Sequence, residues 1–151
     1  MEYCLMSIDH VAQVAALDRA CFSMPWSEAV ITAELTNPLS LWIVAVDGET
    51  VAGYVGSQAV CGEADMMNIA VLPDYRRQGI GKKLVSTLIR VLADREVHSL
   101  TLEVRSSNEP AIAMYNLLGF EQVGRRPNYY LAPREDALIL RKEWANENIS
   151  C

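Results

Sequence analysis

The chain has 151 residues, of which 51% are hydrophobic, and carries a net charge of −6 at pH 7. That length suits one domain with a real core, and that hydrophobic share excludes intrinsic disorder. No apolar run approaches a membrane span, and the acidic opening MEYCLMSIDH lacks the basic and apolar regions of a signal peptide, so the expectation is a cytoplasmic protein with no membrane partner.

Residues 3–6 read as a first strand. Asp9 is expected to cap a helix running to Cys21, with Val11, Val14 and Leu17 on one face and Phe22 extending it. The segment FSMPWS, residues 22–27, breaks that helix. Ser27 can cap a second helix over residues 28–36, which Asn37-Pro38 ends. Residues 41–46 and 50–61 read as strands joined at Asp47-Gly48, a hairpin signal. A further strand covers residues 63–71, after a turn at Cys61-Gly62. A long amphipathic helix over residues 80–95 follows, with Leu84, Leu88, Val91 and Leu92 as its core stripe. Residues 99–104 read as a strand. Ser107, Asn108 and Pro110 open a helix that reaches Leu118 and stops at Gly119. Two last strands begin at residue 120 and at Ala137. Residues 1–145 thus read as one domain, and residues 146–151 as a frayed tail. The helical crossover between Val71 and Ser99 predicts one parallel pair inside an otherwise antiparallel sheet, in a mixed α/β fold.

The stretch NIAVLPDYRRQGIGKKL, residues 68–84, joins the fourth strand to the long helix. Two glycines, Gly79 and Gly81, let backbone N–H groups approach a ligand closely. The helix that follows adds its first unpaired N–H groups and the positive end of its dipole. Arg76, Arg77, Lys82 and Lys83 surround the point, which together describes a cradle for phosphate. Spacing excludes a Walker A loop and a dinucleotide fingerprint. Read alone, the loop serves equally well as a strand–helix turn with lysines for solubility. Without its four basic residues the chain holds nine Lys and Arg against nineteen Asp and Glu. An acidic body argues against nucleic acid as a partner and is compatible with a cationic acceptor, or with solubility alone.

Three more residues invite chemistry. Glu103 lies on the strand SLTLEVR, where alternation sets Leu100, Leu102 and Val104 against Thr101 and Glu103. If partly buried, its carboxylate would become a base near neutral pH; otherwise it is a solvent-facing strand residue. Tyr115 is either a core tyrosine or an acid for a departing thiolate, a transfer expected to run downhill in a dry site. Asn108 can cap its helix and also meet a ligand. Cys4, Cys21, Cys61 and Cys151 are scattered and form no C-x-x-C pair, and only two histidines exist, so no metal site is expected. Cysteines without a secretory signal suit a reducing compartment, and none has a basic neighbour in sequence or a helix start that would activate it.

RRQGIG, then LEVRSSN, then AIAMYNLLGF resemble, in order and spacing, the GNAT family of N-acetyltransferases over most of the chain. FSMPWS, NIAV, RRPNYY and REDA add a similarity to the bacterial members that acetylate the N-terminal alanine of a small-subunit ribosomal protein. The resemblance implies the GNAT fold: a mixed, mostly antiparallel sheet whose one parallel pair splays around acetyl-coenzyme A, with helices on both faces. It implies Glu103 as general base and Tyr115 as general acid. Ile69, Ala70 and Val71 would pair with the pantetheine arm. Arg76, Arg77, Gln78, Gly79, Ile80, Gly81 and Lys82 would hold the pyrophosphate, and Asn108 would also contact acetyl-coenzyme A. No metal is implied. Trp26, Tyr129 and Tyr130 are candidate walls of a peptide groove, or core. The partner would be the N-terminus of a basic, ribosomal protein, met by a monomer. Two departures, Pro127 and the short connection 131–134, fall in the acceptor loop and bear on peptide specificity. Two alternatives stand beside this reading. One is acetyl transfer to a small-molecule amine or a lysine side chain; the other is a non-catalytic acetyl-coenzyme A-binding module.

Overall fold

The computed structural model describes residues 1–144, so the expected tail at 146–151 lies outside the described residues. Its seven strands are β1 (Glu2–Leu5), β2 (Ser40–Asp47), β3 (Thr50–Val60), β4 (Glu63–Val71), β5 (Ser99–Arg105), β6 (Glu121–Leu131) and β7 (Arg134–Glu143). Its four α-helices are α1 (Val11–Cys21), α2 (Glu28–Glu34), α3 (Ile80–Asp94) and α4 (Glu109–Leu117). One mixed sheet runs in the order β1-β2-β3-β4-β5-β7-β6. Every neighbouring pair is antiparallel except β4 with β5. That parallel ladder holds for three pairs only, Glu63–Ser99, Ala64–Leu100 and Asp65–Thr101, and then the two strands part.

Alternation along β2 explains why helices cover both faces. Leu41, Ile43 and Ala45 join a core with Leu84, Leu88 and Leu92 of α3 and Tyr115 of α4. Trp42 and Val44 point the other way, into a core with Val11, Val14 and Leu17 of α1 and Ile31 of α2. Gly56 on β3 has to be glycine, because a Cβ there would lie 2.5 Å from the ring of Trp42.

Several boundaries differ from expectation for local reasons. A single 3-10 turn, Ile8–His10, precedes α1, and Ser7 rather than Asp9 caps it: the Ser7 N–H donates to His10 Nδ1 at 3.0 Å. Phe22 turns to extended backbone (φ −130°) and stays 36% exposed instead of extending the α1 stripe. Ser27 caps α2 as expected, accepting from the Val30 N–H at 3.2 Å, but α2 ends at Glu34 and gives way to tight turns at Leu35 and Thr36. On α3 Val85 is buried and Val91 only partly so, which moves the stripe towards the helix start. β6 and β7 are much longer than their apolar stretches, because their outer ends carry Arg, Tyr and Asp rather than core residues.

Candidate active site

The loop from β4 to α3 is built for an anion. Arg77 (φ 63°) and Gly79 (φ 77°) both adopt the left-handed region, and Gly79 is the N-cap of α3. Alternating backbone handedness turns successive N–H groups to one side. None of the six N–H groups from Arg77 to Lys82 has an acceptor among the described residues, whereas Lys83 already donates to the Gly79 carbonyl. Six donors without an acceptor, at the positive end of a fifteen-residue helix, suit a pyrophosphate. The basic side chains divide. Arg76 turns back, its Nε donating to the Val71 carbonyl at 3.2 Å, with a second guanidinium nitrogen 3.7 Å from Cys21 Sγ. Cys21 therefore does have a cationic neighbour, which its place in the sequence did not disclose. Gln78 bonds the Asp74 carbonyl at 3.4 Å.

Past Asp65 the β5-facing edge of β4 has no strand partner among the described residues. Leu72 donates to the Ala52 carbonyl of β3. By alternation the backbone groups of Ala70 face β3, and those of Ile69 and Val71 face the open edge. A bulge opposite Gly56 and Ser57 leaves Met67 as the extra residue at the head of that edge.

Tyr115 reaches the same edge from α4. Asn108 caps that helix, accepting from the Ala111 N–H at 3.3 Å, and Pro110 occupies its first turn. Met114 brings α4 against the cradle: a Cβ at Gly81 would lie 3.5 Å from its sulfur. The Tyr115 ring packs edge-on against Phe120 at 5.4 Å, and its hydroxyl lies 3.8 Å from Met66 Sδ, one residue past the last ladder pair. Burial pushes the phenol above its ordinary value, with Tyr130 adding to the shift. This corrects the expected energetics. On reference values, proton transfer from a phenol to a thiolate already runs uphill by about 1.5 pK units, or about 2 kcal/mol. Burial steepens that slope.

Glu103 stands on β5, and its environment is polar. Its side chain is 29% exposed and pairs with Arg126 of β6, Oε1 to Nε at 3.1 Å. The Tyr129 phenol lies beside the same carboxylate, and that neighbour is the main reason its own pKa is raised. Tyr129 arrives there through an irregularity in β6. Arg126 pairs with Ala137 and Tyr130 with Glu135, so residues 127–129 stand opposite Asp136 alone. Pro127 has no N–H for the ladder, Asn128 takes φ 54°, and Asp136 accepts from the Asn128 N–H at 2.8 Å and from Arg125 at 2.7 Å. Tyr130 lies under the Arg105 guanidinium, 4.3 Å from its centroid, and edge-on to Tyr129 at 5.2 Å. Glu135 accepts from the Ser107 N–H at 2.7 Å and pairs with Arg105. The connection 131–134 is a tight two-residue turn, with Leu131 paired to Arg134.

Glu103, Tyr129 and Tyr130 are therefore brought together. Trp26 is not part of that group; it packs edge-on against Trp42 in the α1–α2 core, at 5.6 Å and 67°. Sequence reading missed Arg126, the nearest cation to Glu103, and Asp18, a carboxylate only 1% exposed. A signal for Asp18 existed: Val11, Val14 and Asp18 share one helix stripe.

The model of the acetyltransferase (GNAT) family matches residues 11–120. The ribosomal protein bS18-alanine N-acetyltransferase of Escherichia coli strain K12 is 40% identical over 126 residues, covering 82% of this chain and 84% of that protein. A Bacillus subtilis protein provisionally given the same name is 36% identical over 137 residues, 90% of this chain and 89% of its own. The crystal structure of the Escherichia coli enzyme superposes with a TM-score of 0.86 at 34% identity, over 99% of both chains. The chain belongs to this family of acetyltransferases.

Proposed function

We propose that this acetyltransferase moves the acetyl group of acetyl-coenzyme A to the α-amine of a protein N-terminus, that of ribosomal protein bS18 beginning with alanine. The observation that supports it most directly is that three features lie along one stretch of β4 and the loop after it: six N–H groups without an acceptor among the described residues, the strand edge left unpaired past Asp65, and the Tyr115 hydroxyl beside Met66. The acceptor is taken from the names of the relatives, which match over more than four fifths of the chain.

In this reading the N–H groups of Arg77, Gln78, Gly79, Ile80, Gly81 and Lys82 hold the pyrophosphate. Ile69 and Val71 pair with the pantetheine arm, and a β4 N–H polarises the thioester carbonyl. Glu103, directly or through a water, accepts a proton from the acceptor ammonium. The neutral amine attacks the thioester carbon, forming the amide C–N bond as the C–S bond breaks. Tyr115, protonated at neutral pH, donates to the departing sulfur. That uphill transfer is completed as the thiol leaves and water reprotonates the phenolate. Tyr129 and Tyr130 line the acceptor side, and Asn108 positions α4 against the coenzyme. Trp26 acts one shell further out, by supporting the segment 22–27.

The acceptor class also has a chemical basis. An α-amine titrates near 7.7–8.0 and a lysine near 10.4, so freeing the lysine at one pH is harder by roughly 3.4 kcal/mol. One carboxylate base therefore serves an α-amine more easily. No described helix is long and apolar enough to cross a membrane, and we place the reaction in the cytoplasm, carried out by a monomer without a metal.

The deciding experiment is thiol release from acetyl-coenzyme A with a short basic peptide beginning Ala-Arg, followed by mass spectrometry of the product. Acetylation at the peptide α-amine is the expected result. Turnover of a small amine or a lysine side chain in preference to the peptide would overturn the acceptor assignment.

A further inference from the structure

The most deeply buried carboxylate lies outside the reacting centre. Asp18 of α1 is 1% exposed, and all three of its hydrogen-bond donors are uncharged. Its Oδ2 accepts from the Trp26 main-chain N–H at 2.6 Å. Its Oδ1 accepts from Asn68 Nδ2 at 2.6 Å and from the Tyr54 hydroxyl at short range. Burying a charged carboxylate is expensive, and an apolar side chain would fill the site at less penalty. Packing alone therefore gives no reason for it.

The three donors come from three places. Trp26 belongs to the segment between α1 and α2, and Asn68 directly follows the bulge residue Met67 on β4. Ile69, one residue on, faces the open edge. Tyr54 closes a ring, since Trp42 stacks on it at 5.6 Å and Trp26 packs edge-on to Trp42 at the same distance. Among the hydrogen bonds of the described residues, those of this carboxylate alone join the 22–27 segment to the head of the open β4 edge.

We propose that Asp18 is a positioning residue for acetyl transfer: its carboxylate locks the Trp26 segment to the Asn68 end of β4, so that the strand edge that would polarise the thioester keeps one fixed position. The kinetic part rests on the acetyl-transfer reading; the locking itself does not. A carboxylate offers two acceptor oxygens to three donors. An asparagine offers one oxygen and an NH2 group, so at least one donor must lose its acceptor.

The test compares Asp18→Asn, Asn68→Ala and Tyr54→Phe with the unaltered protein. Hydrogen exchange read by mass spectrometry is expected to quicken at residues 22–27 in Asn68→Ala, although the substitution is on β4, and at both 22–27 and 66–71 in Asp18→Asn. With the Ala-Arg peptide, kcat/KM is expected to fall about tenfold in both. The acetyl-coenzyme A Kd, by calorimetry, is expected to rise by less than the fall in kcat/KM, about threefold, since the pyrophosphate cradle is untouched and only the pantetheine edge is loosened. Tyr54→Phe keeps both tethers and is expected to stay within about threefold in kcat/KM, whatever its melting temperature. Exchange confined to β4 in Asn68→Ala would overturn the proposal. So would peptide kinetics that track melting temperature equally in all three variants. If Asp18→Asn does not fold, Asn68→Ala still decides. If the unaltered protein ignores the peptide, the acceptor assignment falls while the exchange result stands on its own.

Discussion

The two regions proposed to meet the coenzyme and the amine are made in opposite ways. The cradle is contiguous: six successive backbone N–H groups, oriented by two left-handed residues and the start of α3. The amine side is assembled from three distant strand segments, with Glu103 from β5, Arg126 and Tyr129 from β6, and Asp136 of β7 holding the β6 distortion in place. Main-chain recognition depends on conformation and tolerates side-chain change. Side-chain recognition depends on identity at every position. The first half is therefore suited to a constant ligand and the second to a variable one.

Glu103→Gln should separate the two halves most sharply. We expect kcat to fall by about 10²–10⁴, the range of general-base catalysis, with the acetyl-coenzyme A Kd unchanged. Joint loss of both would mean that the halves are not independent. Tyr115→Phe keeps the packing on Phe120 and removes only the hydroxyl. Its expected loss in kcat is nearer a hundredfold, because a thiolate is already a good leaving group and needs its acid less. An unchanged kcat would remove Tyr115 from the chemistry. Gly79→Ala probes the other half. A Cβ there meets no neighbouring atom within 4 Å, but φ is 77°. The left-handed penalty of about 1–2 kcal/mol should weaken coenzyme binding roughly tenfold and leave kcat at saturation alone.

The smallest effect concerns acid. The Glu135 carboxyl is held below its ordinary value by hydrogen bonds from Ser107, with Arg105 and Ser106 adding to them. For a lowered pKa, the stabilisation is present above the ordinary carboxylate range and is lost as pH falls through the folded value. The β6–β7 end should therefore loosen only below about pH 4.3. Hydrogen exchange at residues 127–136 across pH 5 to 3 would check this, and Glu135→Gln should flatten the response.

What the sequence disclosed follows the same division. The strand–helix turn with Gly79 at its cap, the hairpin at Asp47-Gly48 and the Ser27 and Asn108 caps are short-range, and each appeared where its residues indicated. The β6 distortion did not. Pro127 and Asn128 mark a break, but only the position of Asp136 across the hairpin turns that break into a bulge that delivers Tyr129 to Glu103. Asp18 shares a stripe with Val11 and Val14, but what it holds shows only when Asn68, fifty residues on, is seen to donate to it. Trp26 read equally as a groove wall or as core, because the stack of Trp42 and Tyr54 behind it is not visible from its neighbours.

A seven-stranded sheet ordinarily has two edges, and this one has four among the described residues. β1 and β6 supply the outer pair, and β4 past Asp65 and β5 past Thr101 supply two in the interior. An outer edge can recruit a strand from another molecule. The interior edges lie between strands of their own sheet, so a second sheet cannot reach them, while a thin, extended chain carrying amides can. Under the proposed reading a coenzyme arm bound on β4 would act as a missing strand, and the protein's heat tolerance would then become a gauge of the coenzyme supply. At a hundredfold excess over Kd the gain is about 2.7 kcal/mol, enough to move a melting curve by several degrees.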